Sequence, residues 1–176
     1  MRPAPGHVLH FSEDPTIQVF EPHVARTARQ KDAYVWAVDS DQAPSYWFPR
    51  QCPRVMAWRT SSTTDTDAQA IIGPGPETRV HAVEYAWLDR IRDAKLFAYE
   101  LPSETFEPFG EPKPHAYVST ATVRPAGPPE PVGDLLALHE VNGVQLRLLP
   151  RLHAFWAAVT TSSLGFSGIR LGNARP

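Results

Sequence analysis

Nineteen prolines in 176 residues, about twice the usual share, set the scale of everything this chain can build. Each proline removes a backbone donor and is excluded from helix interiors and central strands. Long helices are therefore not expected before residue 132, and the elements must be short. Hydrophobic residues make up 42% and charged residues 20%, so a packed core is within reach and wholesale disorder is not expected. The length fits one domain. The expected fold is a single α+β domain over residues 1–176. Its sheet should be bent or split, mainly antiparallel and built of five to seven short strands, with three or four short helices.

Short apolar, aromatic or β-branched runs and alternating patterns place strands at Val8–Phe11, Tyr34–Val38, Arg54–Trp58, Arg79–Glu84, Lys95–Leu101 and Val144–Leu149, a strand pair or one bent strand at Tyr117–Val123, and a shorter extended piece at Ile17–Phe20. Helical spacing places helices at Trp87–Asp93, Val132–Asn142 and Arg151–Ser162, and one or two turns at Asp67–Ile72. Asn142-Gly143 reads as a helix C-cap, and Asp39-Ser-Asp as the start of a short helix that Pro49 ends. Residues 25–33 read as an exposed polar loop, and Pro125–Pro131 as a rigid connector. Gly165–Ala174 has no clear period. Helices fall late, so a Rossmann-type alternation is a poor fit.

The formal net charge of −2 disfavours nucleic acid as a partner held by phosphate neutralisation. The single cysteine, Cys52, excludes an internal disulfide, and with no signal-peptide core at Met1–His7 the expected location is the cytoplasm. No apolar run approaches the ~20 residues that span a bilayer, so no membrane partner is expected. The ten glycines never fall into a dinucleotide-binding or Walker spacing. Oligomeric state is not written in the sequence.

Aromatic residues with a few polar groups crowd into Leu9–Trp58, the composition of a small-molecule pocket. His10 and Ser12 share one face of the first strand and could hold a ribose or an amide; the alternative for His10 is a core histidine bonded to a carbonyl. Arg50 and Arg54, stiffened by Pro49 and Pro53, suit an anion, or equally an ion pair with an acid such as Glu84 or Asp39. Cys52 between these arginines could be a thiolate nucleophile, against the commoner outcome of an inert buried thiol. Glu100, Glu104, Glu107 and Glu111 could do acid–base work or simply be solvated, and Glu130 in Pro-Pro-Glu-Pro could be a rigidly aimed carboxylate or a surface turn. His7 and His10 fall on opposite strand faces, and His81, His115, His139 and His153 are scattered without ligand spacing, so no metal is expected. Trp87, Phe155 and Trp156 read as helix-face core residues. Ser12, Ser119 and Ser167 lack a nucleophile elbow.

Leu9-His-Phe-Ser-Glu-Asp-Pro, Val35-Trp-Ala-Val-Asp, Tyr46-Trp-Phe-Pro-Arg and the tail from Gly165 resemble a small bacterial family of unknown function, over nearly the whole chain. A second resemblance is to the start of ADP-ribosyltransferase-like domains. It rests on the strand Leu-His-Phe-Ser, a phenylalanine some ten residues on, and the aromatic strand Val-Trp-Ala before a short acidic helix. That resemblance implies NAD as ligand: His10 and Ser12 hold the ribose and nicotinamide amide, Tyr34 or Trp36 stacks on the nicotinamide, and Glu130 orients the acceptor. The resulting expectation is an NAD-binding cleft of His10, Ser12, Trp36, Tyr46, Arg50 and Arg54, with His10 and Glu130 catalytic. The alternative expectations are a non-catalytic ligand-binding or protein-interaction module, and a Cys52-dependent enzyme.

Overall fold

The computed structural model describes residues 2–24, 32–110 and 114–176. Most of the expected polar loop at 25–33, and Glu111, lie outside the described residues. The chain's contacts gather into two units, one built from the described residues of Met1–Trp47 and Lys95–Gly133, the other from Phe48–Ala94 and Asp134–Pro176. Among the described residues there are four α-helices and three sheets of short strands, mainly antiparallel, so the fold class is α+β.

In the first unit, β1 (His7–Ser12) pairs antiparallel with β5 (Phe97–Pro102), which pairs with the two-residue β8 (Glu130–Pro131). A second sheet has β7 (Ala116–Ser119) between β2 (Val35–Ala37) and β6 (Glu107–Phe109). Reciprocal 2.8 Å backbone bonds between Leu9 and Val38 join β1 to the end of β2. Alternation then sorts the side chains. Val8, Tyr99, Leu101, Val35 and Ala37 enter one core cluster with Phe20, Phe106 and Val123, while Leu9 and Val38 pack with Ala43, Phe11 and Tyr46 in another. The tertiary hydroxyl of this core is Tyr99, whose Oη donates to the Asp14 carbonyl and accepts from the Ile17 amide, tying down the turn after β1.

In the second unit, β3 (Arg54–Trp58) and β4 (Arg79–Glu84) sit at the middle of a four-stranded sheet. β10 (Gly165–Ile169) pairs antiparallel with β3, and β9 (Val144–Leu149) runs parallel to β4. A parallel pair needs a long crossover, and here the chain between β4 and β9 includes α2 (Leu88–Asp93), the returning part of the first unit and α3 (Leu135–Val141). One sheet face, Val55, Ala57, Val80 and Ala82, packs with Ile71 of α1 (Asp65–Ile71) and Val159 of α4 (His153–Thr160). α1 and α3 start on side-chain caps: Thr64 accepts from the Asp67 amide, and Asp134 accepts from the amides of Leu136 and Ala137. The expected strands at Arg54–Trp58, Arg79–Glu84 and Val144–Leu149 form with those bounds. The expected extended piece at Ile17–Phe20 is reduced to a bridge between Phe20 and Val123. The segment after Asp39 forms a 3-10 turn, Ala43–Tyr46, with Pro44 inside it.

Candidate functional site

His10 lies on the face of β1 opposite to Leu9 and Phe11, in register with Tyr99. Its Nδ1–H donates to the Trp36 carbonyl at 2.7 Å, because a carbonyl can only accept. That bond fixes the orientation of the ring. The ring rests 4.6 Å from that of Phe20, tilted by 51°. Ser12 is on the same face, buried, and its Oγ accepts from the Asp14 amide at 3.1 Å, closing the turn that Pro15 requires.

Tyr46, Glu130 and Trp36, also expected in the cleft, do not share this face. Tyr46 packs with Leu9 and Phe11, on the far side of β1. Glu130 is exposed, and its register through Ala98 to Phe11 puts its side chain on that same far side. Trp36, two residues from Val38, also points away from the Val35 and Ala37 core face. Arg50 and Arg54 belong to the second unit.

Trp36 instead forms an aromatic corner on the outer face of the second sheet. Its ring lies 6.0 Å from Tyr34 at 89° and 5.0 Å from Phe109 at 78°, and Tyr34 lies 5.8 Å from Phe109. β7 runs between their strands and offers only Ala116 and Val118 on this face, so the large rings meet over it. Gly110, at φ 118°, turns the chain out of β6 where a Cβ would strike the His115 ring. Asp32 accepts from the Tyr34 hydroxyl at 3.3 Å. Burial, then the charges of Asp32 and Glu107, hold that hydroxyl above the ordinary phenol range. The Trp36 Nε1–H is buried and has no acceptor among the described residues, a cost of about 1–3 kcal/mol of the sort that folds tolerate at sites of use.

The second unit holds a buried polar stack that spacing did not reveal. His81 of β4 and His139 of α3 are bonded, Nδ1 to Nε2, at 3.1 Å, and His139 Nδ1 is 2.6 Å from the Leu135 carbonyl. The carbonyl must accept, so His139 carries its proton on Nδ1 and accepts at Nε2 from His81 Nδ1–H. His81 Nε2 is thereby a bare, fully buried acceptor, and it has no partner among the described residues. Burial holds both imidazoles below their usual range; at His81 the neighbouring His139, Arg79 and Arg54 push the same way. Phe48 packs steeply inclined against both, 5.6 Å from His81 and 5.0 Å from His139, and the Arg54 guanidinium lies over the Phe48 ring, 5.1 Å from its centre. Arg54 is only 3% exposed and donates to the Cys52 carbonyl at 3.0 Å, whereas Arg50 is exposed. The clue available in the sequence was that Leu135 and His139 are four apart, on one helix stripe, and that His81 lies at a core position of an alternating strand.

Cys52 is fully buried, and burial pushes its thiol up to about 12; Glu84 adds to this and Arg54 only partly opposes it. Desolvation outweighs the charge of Arg54, against the expectation of a thiolate. Among the described residues no three His, Cys, Asp or Glu side chains gather to hold a metal ion, and no helix is long and apolar enough to cross a membrane.

No curated protein and no solved structure matches the chain. A model of a protein family described as a family of unknown function (DUF6886) matches residues 9–174. The match takes in β1 from Leu9 onward, the aromatic corner, the buried histidine pair and the tail strand, and the chain belongs to that family.

Proposed function

We propose that this chain is a nucleotide-binding protein of ADP-ribosyltransferase-like character, which holds NAD or a close analogue on the His10 face of its first unit. The supporting observation is the placement of His10. A backbone carbonyl fixes the orientation of its ring beside the apolar ring of Phe20, with Ser12 on the same face of the strand. Ser12 keeps its hydroxyl proton as a donor while accepting from the Asp14 amide. The activity proposed is binding without transfer, because Glu130 sits across the sheet from His10.

Calorimetric titration with NAD tests this. Saturable binding that weakens at least about tenfold in His10→Ala, the loss of one hydrogen bond to a ligand, supports it. Glu130→Gln should bind NAD like the parent protein. No heat of binding and an unchanged melting temperature at millimolar NAD would remove the reading altogether.

A further inference from the structure

The outer face of the β2–β7–β6 sheet carries chemistry that nucleotide binding does not use. Tyr34, Trp36 and Phe109 are half-buried and steeply inclined to one another, so the three rings turn π-faces in different directions around one corner. Aromatic faces carry negative quadrupole charge and attract cations within about 6 Å of a ring centre. Two exposed carboxylates add to that field. Asp32 holds the Tyr34 hydroxyl, and Glu107 stands on the same face, in register with Val118 and through it with Trp36. Neither is in an ion pair among the described residues. Both charges are felt at the Tyr34 oxygen.

Rings alone would suit any apolar partner, and carboxylates alone would suit any cation. Together they select a cation with an apolar shell. A strongly hydrated metal ion gains little from a π-face, while an alkylated ammonium spreads its charge over methyl groups that pack against rings without losing a tight water shell. We propose that this corner is a binding site for an alkylated ammonium group, quaternary in preference to primary. The site is independent of the nucleotide reading: it stands on the other side of the strands from His10 and needs none of its residues.

The test is titration of the full chain with choline, followed by NMR or calorimetry, alongside 3,3-dimethyl-1-butanol, which has the same shape without the charge. Saturable choline binding at least about tenfold tighter than that of the neutral isostere is expected. Trp36→Ala should abolish it. Because that variant could lose its fold, Glu107→Lys, a change at an exposed edge position, supplies a second arm and should weaken choline several-fold with an unchanged melting temperature. His10→Ala should leave choline binding intact even where NAD binding is lost. Equal binding of choline and its isostere, no saturation by choline, or unchanged affinity in Glu107→Lys would overturn the proposal.

Discussion

His10 and His81 both stand on strands between apolar neighbours, and each donates through Nδ1, yet they are used in different ways. His10 is half-buried, and its Nδ1–H is bonded to a backbone carbonyl. His81 is fully buried; its partner is a second imidazole, and its remaining nitrogen has no partner among the described residues. The lesson is that a polar group gains use as it gains exposure, and a buried one becomes a condition of folding. Arg54 and Cys52 fall with His81 on the buried side, and the aromatic corner falls with His10 on the reachable side.

The sharpest way to break that contrast is Cys52. With its thiol raised from 9.0 to about 12, the native thiolate is about a thousandfold scarcer than in an ordinary cysteine. Iodoacetamide followed by mass spectrometry should show alkylation at Cys52 only once the chain unfolds; fast labelling of the native protein would place this region among the reachable ones. Next in size is His139→Ala. It strips His81 of its acceptor and removes a ring packed on Phe48, and should cost about 2–4 kcal/mol in urea denaturation. His10→Ala, which loses the bond to the Trp36 carbonyl and the contact with the Phe20 ring, should cost about 1 kcal/mol. Equal costs would erase the distinction.

Acid should separate the two histidines again. The folded His81 and His139 are held below 6.5, whereas the unfolded chain takes up their protons near 6.5. Stability is therefore full above about pH 6.5 and falls as the pH drops below it, until the folded imidazoles protonate too. The slope reaches about 1.4 kcal/mol per pH unit for each histidine. Denaturation midpoints followed from pH 8 to pH 5 should show this fall, and it should flatten in the double variant His81→Leu, His139→Leu. A flat profile in the parent protein would mean that the pair is not held neutral. The smallest effect concerns the helix that presents His139. Asp134→Ala removes the cap of α3 and should lower stability by about 1 kcal/mol, read in the same urea experiment.

Much of the framework was legible before any coordinates. Val144–Leu149 alternates apolar and polar residues, and Arg54–Trp58 and Arg79–Glu84 are short runs centred on apolar residues, so each reads as a strand. Three strands escaped for local reasons. β6 contains Pro108 and β8 contains Pro131, which suit edge positions and otherwise read as loop. β10 reads Gly-Phe-Ser-Gly-Ile, with no β-branched rhythm until its end. Its glycines answer to neighbours: a Cβ at Gly168 would come within 2.8 Å of the Trp156 ring, and one at Gly165 would strike the Trp58 indole.

For the sites, the sequence identified His10, Ser12 and Trp36 as chemically loaded and put His10 and Ser12 on one face, since side chains in a strand alternate with a period of two. It also limited every element to a few residues, because proline permits nothing longer. Only the tertiary structure decided which loaded residues meet. It put Trp36 with Phe109 rather than with His10, and it brought His81 to His139 across 58 positions, through pairings between strands and a helix that no local pattern encodes. The physical reason is that periodicity fixes which way a side chain points from its own element, whereas its partner is fixed by register and packing between elements distant in the chain.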